Sequence, residues 1–492
     1  MTDRLLTHRV ATLGCMMTTT AVLSQATDRE PRWTGASLAW TSTDPLLLQA
    51  RSLLAAGKLA DAQTLVHASS LPAANEMRQI IPRIRYDYCL DHAAMLAKLR
   101  DVIPDVSAED LARWQTTDEL QHRSIDGQIA YFRREPSNLF RFSAEASRRR
   151  DAHTTTRPGD GTFVTEKHLA EVIAAAQAAG KPDVAPLRHR IRYSIGIPPN
   201  HPAAKPGALV RCWLPFPQEH PRQRDIRLLS TSPQHPIIAP AGNGHRSIYM
   251  EQHLADPQKP VLFKLAFEYT SVAYYPILND SQARTLPPSY DGSFLSQRPP
   301  HIVFTPQLRK TLARVIAAET NPLAKARRIF EFINTDIQYC AEEEYGIIPS
   351  FTEKALRTRK GDCGIQTMLF IAMCRCAGIP ARWQSGWETR PTLWNMHDWA
   401  EFYVQPWGWL PADPSYGLRK SDDPQVRYFY FGHQDSYRMI VNLDYGCPLQ
   451  PPKQSMRSEP ADFQRGEVEM DGRNLYFNEW DFQIEVEYGV TP

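Results

Sequence analysis

No run of about 20 uninterrupted apolar residues occurs in the 492-residue chain, so a polytopic membrane protein is excluded. An excess of charge of one sign is also missing. The 56 Lys and Arg residues nearly cancel the 54 Asp and Glu residues, which argues against a general nucleic-acid binder. Glycine is modest at 24 residues while proline reaches 40, a balance that disfavours collagen-like or linker-like repeats and favours irregular loops and extended strands. Cysteine is sparse. The eight thiols, Cys15, Cys89, Cys212, Cys340, Cys363, Cys374, Cys376 and Cys447, form no paired C-x-x-C blocks. Neither a zinc framework nor a disulfide scaffold is indicated, and no spacing implies a metal or organic cofactor. What is present is globular: 42% hydrophobic and 22% charged residues rule out wholesale disorder. At ~100–200 residues per domain, the length allows about three or four folding units.

The leader, residues 1–26, carries Arg4, His8 and Arg9 before a weakly apolar stretch, then Ser24-Gln25-Ala26 as a small-x-small cleavage site. That pattern reads as an export signal, to the periplasm or outside the cell. Leu13-Gly14-Cys15 gives a second reading, a lipoprotein signal. Residues 27–83 read as a helical region, with two apolar stripes separated at Gly57. Residues 84–150 read as a small module of helix, helix and hairpin, the outline of a winged helix. Ser107 and Asp110 form a capping box there, and Asp126-Gly127 suits a type I′ turn. Arg148-Arg149-Arg150 invites a DNA-reading role, but the balanced charge favours a structural module with a solvated basic stretch. Residues 151–186 read as a linker and a helix ended by Gly180. Residues 187–280 alternate in short strands between proline- and asparagine-rich turns, as a β-sandwich does. Residues 281–438 mix helices and strands, and 439–492 read as a C-terminal β extension, a further sheet beside the core.

The chemistry concentrates between Lys360 and Gly417. Gly361-Asp362-Cys363-Gly364 opens an apolar helix marked by Ile365, Met368, Leu369, Ala372 and Cys376. A thiol at a helix N-terminus feels unpaired N–H groups and the positive end of the dipole, which favour the nucleophilic thiolate. After Gly378-Ile379-Pro380-Ala381-Arg382 comes a strand in which His397, Trp399 and Glu401 share one face and Asp398, Ala400 and Phe402 the other. A turn at Pro406-Trp407-Gly408 returns the chain so that Asp413 lands nearly opposite His397. A carboxylate there would fix the imidazole tautomer and leave the other ring nitrogen for Cys363. Taken singly, each residue has a plainer reading: a small core thiol, a hydrogen-bonded structural histidine, a turn aspartate before proline. Trp383, Trp387, Trp394 and Trp399 read equally well as groove lining or as core.

Together, Gly-x-Cys opening a helix, Gly-Ile-Pro-Ala-Arg, His-x-Trp-x-Glu and Gly-Trp-x-x-x-Asp-Pro make the region from Thr305 to Tyr416 resemble the transglutaminase-like superfamily. The resemblance implies an α+β chain with a papain-like transglutaminase core, preceded by a β-sandwich and the N-terminal helical, winged-helix-like region. It also implies a Cys363–His397–Asp413 catalytic triad. The expected activity is thiol-dependent acyl hydrolysis of a protein or peptide amide through a thioester, without a metal or cofactor. Protein-glutamine acyl transfer (cross-linking or deamidation) and a non-catalytic binding or scaffold protein are the alternatives. The animal cross-linking enzymes carry tryptophan where Gly364 stands, and no acidic calcium loop is visible, so calcium activation is not expected.

Overall fold

The computed structural model describes residues 37–153, 163–391 and 393–489. The leader, and with it Cys15 and the export reading, lies outside the described residues. Among the described residues no helix is long and apolar enough to cross a membrane.

The N-terminal helices Pro45–Ala55 and Leu59–His67 meet at Gly57, whose φ is +74°. A Cβ there would sit 2.2 Å from the Ser124 carbonyl oxygen, so the break needs glycine on two counts. A third helix, Pro72–Asp87, was not evident from sequence periodicity. Its Met77, Ile80 and Ile84 close a core with Leu47, Leu54 and Leu59. The next unit has helices His92–Arg100 and Ala108–Thr116, the second opened by the Ser107–Asp110 capping box. The hairpin Arg123–Ile125/Gln128–Ala130 turns at Asp126-Gly127, both at positive φ, as the type I′ geometry requires. Two further helices, Glu135–Phe142 and Ala144–His153, complete its small core around Trp114. Arg149 pairs with Asp105 and Asp110, and Arg150 with Asp151, so this basic stretch is partly neutralised within the chain.

After the helix Thr165–Ala179, two antiparallel sheets follow. One runs Asp481–Tyr488, Asp183–Ile197, Val261–Tyr274, Gln223–Ser232. The other runs Arg473–Leu475, Glu467–Met470, Leu209–Pro215, Ser247–His253, Ile237–Ile238. Both contribute to one contiguous core that includes Tyr193, Trp213, Phe263, Phe267 and Val468. Burial of such side chains, at roughly 1.5–3 kcal/mol each, is what joins the layers. The last three strands therefore pair into these two sheets and form no separate sheet among the described residues, while Arg438–Asn442 joins the sheet of the Cys363 region. They gain partners on both sheets that a free-standing hairpin would lack.

The region of residues 306–442 centres on the helix Cys363–Cys376, buried from Cys363 to Arg375. A helix apolar around its whole circumference must be enclosed. Helices Pro306–Ile316, Pro322–Asp336 and Phe351–Thr358 and a four-stranded antiparallel sheet share its core. That sheet runs Gly408–Ala412, Leu393–Val404, Ala381–Arg390, Arg438–Asn442. Phe370 of the helix packs on Phe402 of the sheet and on Phe330. On its sandwich side the sheet adds Trp387, Met439 and Val441 to the neighbouring core, so the two regions are packed as one.

Candidate active site

The hairpin that carries His397 pairs Ala400 with Ala412, so Asp413 lies one step past the last pair, diagonal to His397. The imidazole closes that gap: His397 Nε2–H donates to Asp413 Oδ2 at 2.7 Å. Arg438 from the far edge strand reaches the same oxygen at 2.8 Å. Ser415 Oγ and the Tyr416 N–H donate to Oδ1 at 2.9 and 3.0 Å. Burial opposes ionisation of Asp413, but His397 and Arg438 outweigh it and hold the carboxyl down to about 2. An ionised Asp413 can only accept, so Nε2 carries the proton and Nδ1 is the basic nitrogen. The Tyr416 ring, 4.8 Å from the imidazole centroid to centroid, packs against it.

Cys363 is the first residue of its helix, after Asp362, whose side chain accepts from Ile365 N–H. Cys363 Sγ donates to Asp398 Oδ2 at 3.3 Å, and no Cys363–His397 hydrogen bond occurs among the described residues. Alternation along the strand places Asp398 with Ala400 and Phe402, on the face against which the Cys363 helix packs, and so within reach of the thiol. Cys363 is 9% exposed. The helix end is not the only influence on the thiol: burial, then the carboxyls of Asp398 and Asp362, push it well above its ordinary range. A helix dipole worth at most about 2 kcal/mol is outweighed by desolvation and two neighbouring acids.

Around the thiol lies a buried acid cluster. Tyr345 Oη is 2.9 Å from Asp398 Oδ2 and 3.0 Å from Asp362 Oδ1, and it accepts the Gly364 N–H at 3.1 Å. Gln464 Nε2 donates to Asp398 Oδ1 at 2.7 Å. Asp462, held by Ser385 Oγ and Asn442 Nδ2, adjoins Asp398. All three acids are raised. For Asp398 the causes are burial, then Asp462 and Asp362. For Asp362 they are burial, then Glu342, and for Asp462 burial comes first. Among the described residues no three His, Cys, Asp or Glu side chains are arranged to hold a metal ion.

Residues 309–414 match the family model of the transglutaminase-like superfamily. This segment belongs to that superfamily. Its fold is that of thiol-dependent catalysts, and Cys363 and His397 lie within the matched residues, with Asp413 at their end. Two solved structures are similar at low identity. One is a protein of Cytophaga hutchinsonii provisionally named a cysteine protease: 14% identity, covering 63% of this chain and 93% of that one, with a TM-score of 0.42. The other is the periplasmic domain of TgpA from Pseudomonas aeruginosa, with 16% identity, 52% and 94% coverage and a TM-score of 0.25. No curated protein sequence matches the chain.

Several features of this superfamily segment lay beyond sequence reading. Asp398 was placed on the face of Ala400 and Phe402 but given no role, although an ionisable residue on an apolar face was a signal. Nothing in the sequence tied Tyr345 to Asp398 or Arg438 to Asp413. Of the four tryptophans, Trp383, Trp387 and Trp399 are core, and Trp394 is 37% exposed. The segment before Tyr345 is clamped from outside by the N-terminal unit. Arg133 bridges Asp87 and Glu344, Arg134 reaches the Glu342 carbonyl, and Asn138 bonds both polar groups of Ala341.

Proposed function

We propose that the protein is a thiol-dependent acyl hydrolase in which Cys363 attacks an amide of a protein or peptide, His397 moves the proton and Asp413 orients His397. The observation that carries this reading is the His397–Asp413–Arg438 arrangement: an imidazole with Nε2 fixed by an ionised carboxylate and Nδ1 left as base. For reaction, the Cys363 side chain leaves Asp398 and gives its proton to Nδ1. The thiolate then adds to the substrate carbonyl carbon. The first-turn N–H groups of Gly364, Ile365 and Gln366 have acceptors in the chain, whereas among the described residues Cys363 N–H has none, so it is the oxyanion donor. Collapse of the adduct breaks the C–N bond, and His397 returns the proton to the leaving amine. Water, deprotonated by His397, then splits the thioester to acid and free thiol. The leader supports export of the enzyme.

A second reading, a binding protein that keeps the fold without turnover, is favoured by one observation, the burial of a neutral Cys363 against Asp398. A panel of peptide, glutamine and glycopeptide amides incubated with wild type and Cys363→Ala separates the two. Cys363-dependent release of amine or ammonia is expected. No release from any amide would favour the binding protein. A labelled primary amine added to the assay is expected to stay unincorporated, and its incorporation into a glutamine-containing protein would turn the assignment to acyl transfer.

A further inference from the structure

We infer that Asp398 is the positioning residue of the Cys363 thiol: with Tyr345 and Asp362 it forms a proton-sharing latch that holds the nucleophile hydrogen-bonded to Asp398 and not to His397. The inference rests on the reading of Cys363 as the nucleophile and adds the device that keeps it at rest.

The argument is a count of protons. Tyr345 has one hydroxyl hydrogen, yet its oxygen lies within hydrogen-bond distance of two carboxyl oxygens, on Asp362 and Asp398. It also accepts the Gly364 N–H. Two ionised carboxylates cannot both receive one hydrogen, so both contacts close only when one carboxyl is protonated. With the proton on Asp362 every donor is used. Asp362 Oδ1–H donates to Tyr345 Oη, filling its second lone pair. Tyr345 Oη–H and Cys363 Sγ–H both donate to Asp398 Oδ2, and Gln464 donates to Oδ1. Asp398 is then the acceptor that aims the thiol. No bond to heavier atoms forms or breaks. Opening the latch only moves the Cys363 side chain and, as pH rises, removes the extra proton to solvent.

The cluster is short of compensating charge on every side. From the helix start it is faced by Asp362 and Cys363, from the preceding segment by Tyr339, Glu342 and Tyr345, and from the C-terminal segment by Asp462 and Gln464. The cations that act on it are Arg134, toward Asp362, Arg457, toward Asp462, and Lys354, paired with Glu342. None of them is bonded to Asp398, so a second negative charge on Asp398 and Asp362 is not offset by a direct ion pair.

The test is the rate of Cys363 alkylation by iodoacetamide as a function of pH, read by peptide mass spectrometry on the full-length protein. Asp398→Asn keeps the shape and removes the charge. It is expected to raise the Cys363 rate at neutral pH about tenfold or more and to move the midpoint of the profile to lower pH, since one pKa unit is a factor of ten in thiolate. Tyr345→Phe, which retains the ring packed on Phe351, is expected to shift the profile the same way by less. Asp398→Glu should restore slow alkylation. If Asp398→Asn fails to fold by circular dichroism, Tyr345→Phe decides alone. Wild-type rates and midpoints in the folded variants would overturn the latch. A shifted profile without amide turnover in any variant leaves the latch standing and removes the hydrolase. Cys363-dependent turnover with unshifted profiles does the reverse.

Discussion

The two faces of one small sheet treat the same chemical group in opposite ways. Asp413 and Asp398 are both almost wholly buried, at 4% and 1% exposure. On the His397 face each carboxylate meets a guanidinium. Asp413 has Arg438, Glu401 has Arg382 at 2.8 Å and Arg222, and Asp435 lies near Arg438. Burial there is outweighed, and Asp413 and Glu401 are both held down to about 2. On the Cys363 face the partners are a phenol, an amide, a thiol and other acids, and Asp398, Asp362 and Asp462 are all raised. Burial alone therefore does not set the charge of an acid; what matters is whether its desolvation is offset by a cation or only by neutral donors. One face is built to orient a base, the other to keep a proton.

The largest effect that could break this contrast comes from one conservative change made on both faces. Asp413→Asn is expected to lower kcat/KM on an amide substrate roughly 10³–10⁴-fold, because the imidazole loses the partner that fixes its tautomer. Asp398→Asn should not lower it comparably. Equal losses from the two would erase the distinction between faces. Next in size, Arg438→Met strands Asp413 and Asp435 without their cation. Urea unfolding should show a loss of about 3–5 kcal/mol, the usual cost of removing one partner from a buried pair.

Gly364→Ala sharpens the contrast from the other side. A Cβ at Gly364 would sit 2.2 Å from Tyr345 Oη, so the ring must shift, at a cost of about 1–3 kcal/mol. The hydroxyl is thereby drawn from Asp398, and the thermal midpoint should fall while Cys363 alkylation rises. The close approach gives a physical reason for the small residue after the cysteine.

The smallest effect is on stability against pH. Asp413 and Glu401 have folded values below the unfolded ones, so their contribution is complete above about pH 4 and is lost as pH falls through about 2. Asp362 and Asp398 share one proton, with the value of Asp362 raised to about 7 above its unfolded one, so stability is lost as pH rises from about 4 through about 7. Asp398→Asn, which leaves one acid in the pair, should therefore be more stable than wild type at alkaline pH and equal to it at pH 3. A gain that is the same at both pH values would mean that packing, not charge, is the cause.

What could be read from the sequence was local. The helix beginning at Cys363 follows from its apolar spacing, and the His397 strand and its return to Asp413 follow from alternation around Pro406-Trp407-Gly408. The capping box at Ser107 and the turn at Asp126-Gly127 were legible for the same reason: all their partners lie within a few residues. What escaped was long-range. The pairing of Asp481–Tyr488 with Asp183–Ile197 joins segments nearly 300 residues apart in the chain, and no local pattern encodes a register. The partner of Cys363 escaped differently. The alternation of the strand put Asp398 on the face of Ala400 and Phe402, but it did not say that the helix would cover that face and bring the thiol against a carboxylate. The charge state of the thiol was misjudged with it, since the helix end was weighed without the acids packed around it.

The most direct test of the central claim is intact and peptide mass spectrometry after brief exposure to an activated ester such as p-nitrophenyl acetate, quenched in acid. The account predicts one added acyl group, mapped to Cys363, cleared with time in wild type, persisting longer in Asp413→Asn and missing from Cys363→Ala. An unmodified Cys363, or acylation falling instead on the exposed Cys89, would contradict it.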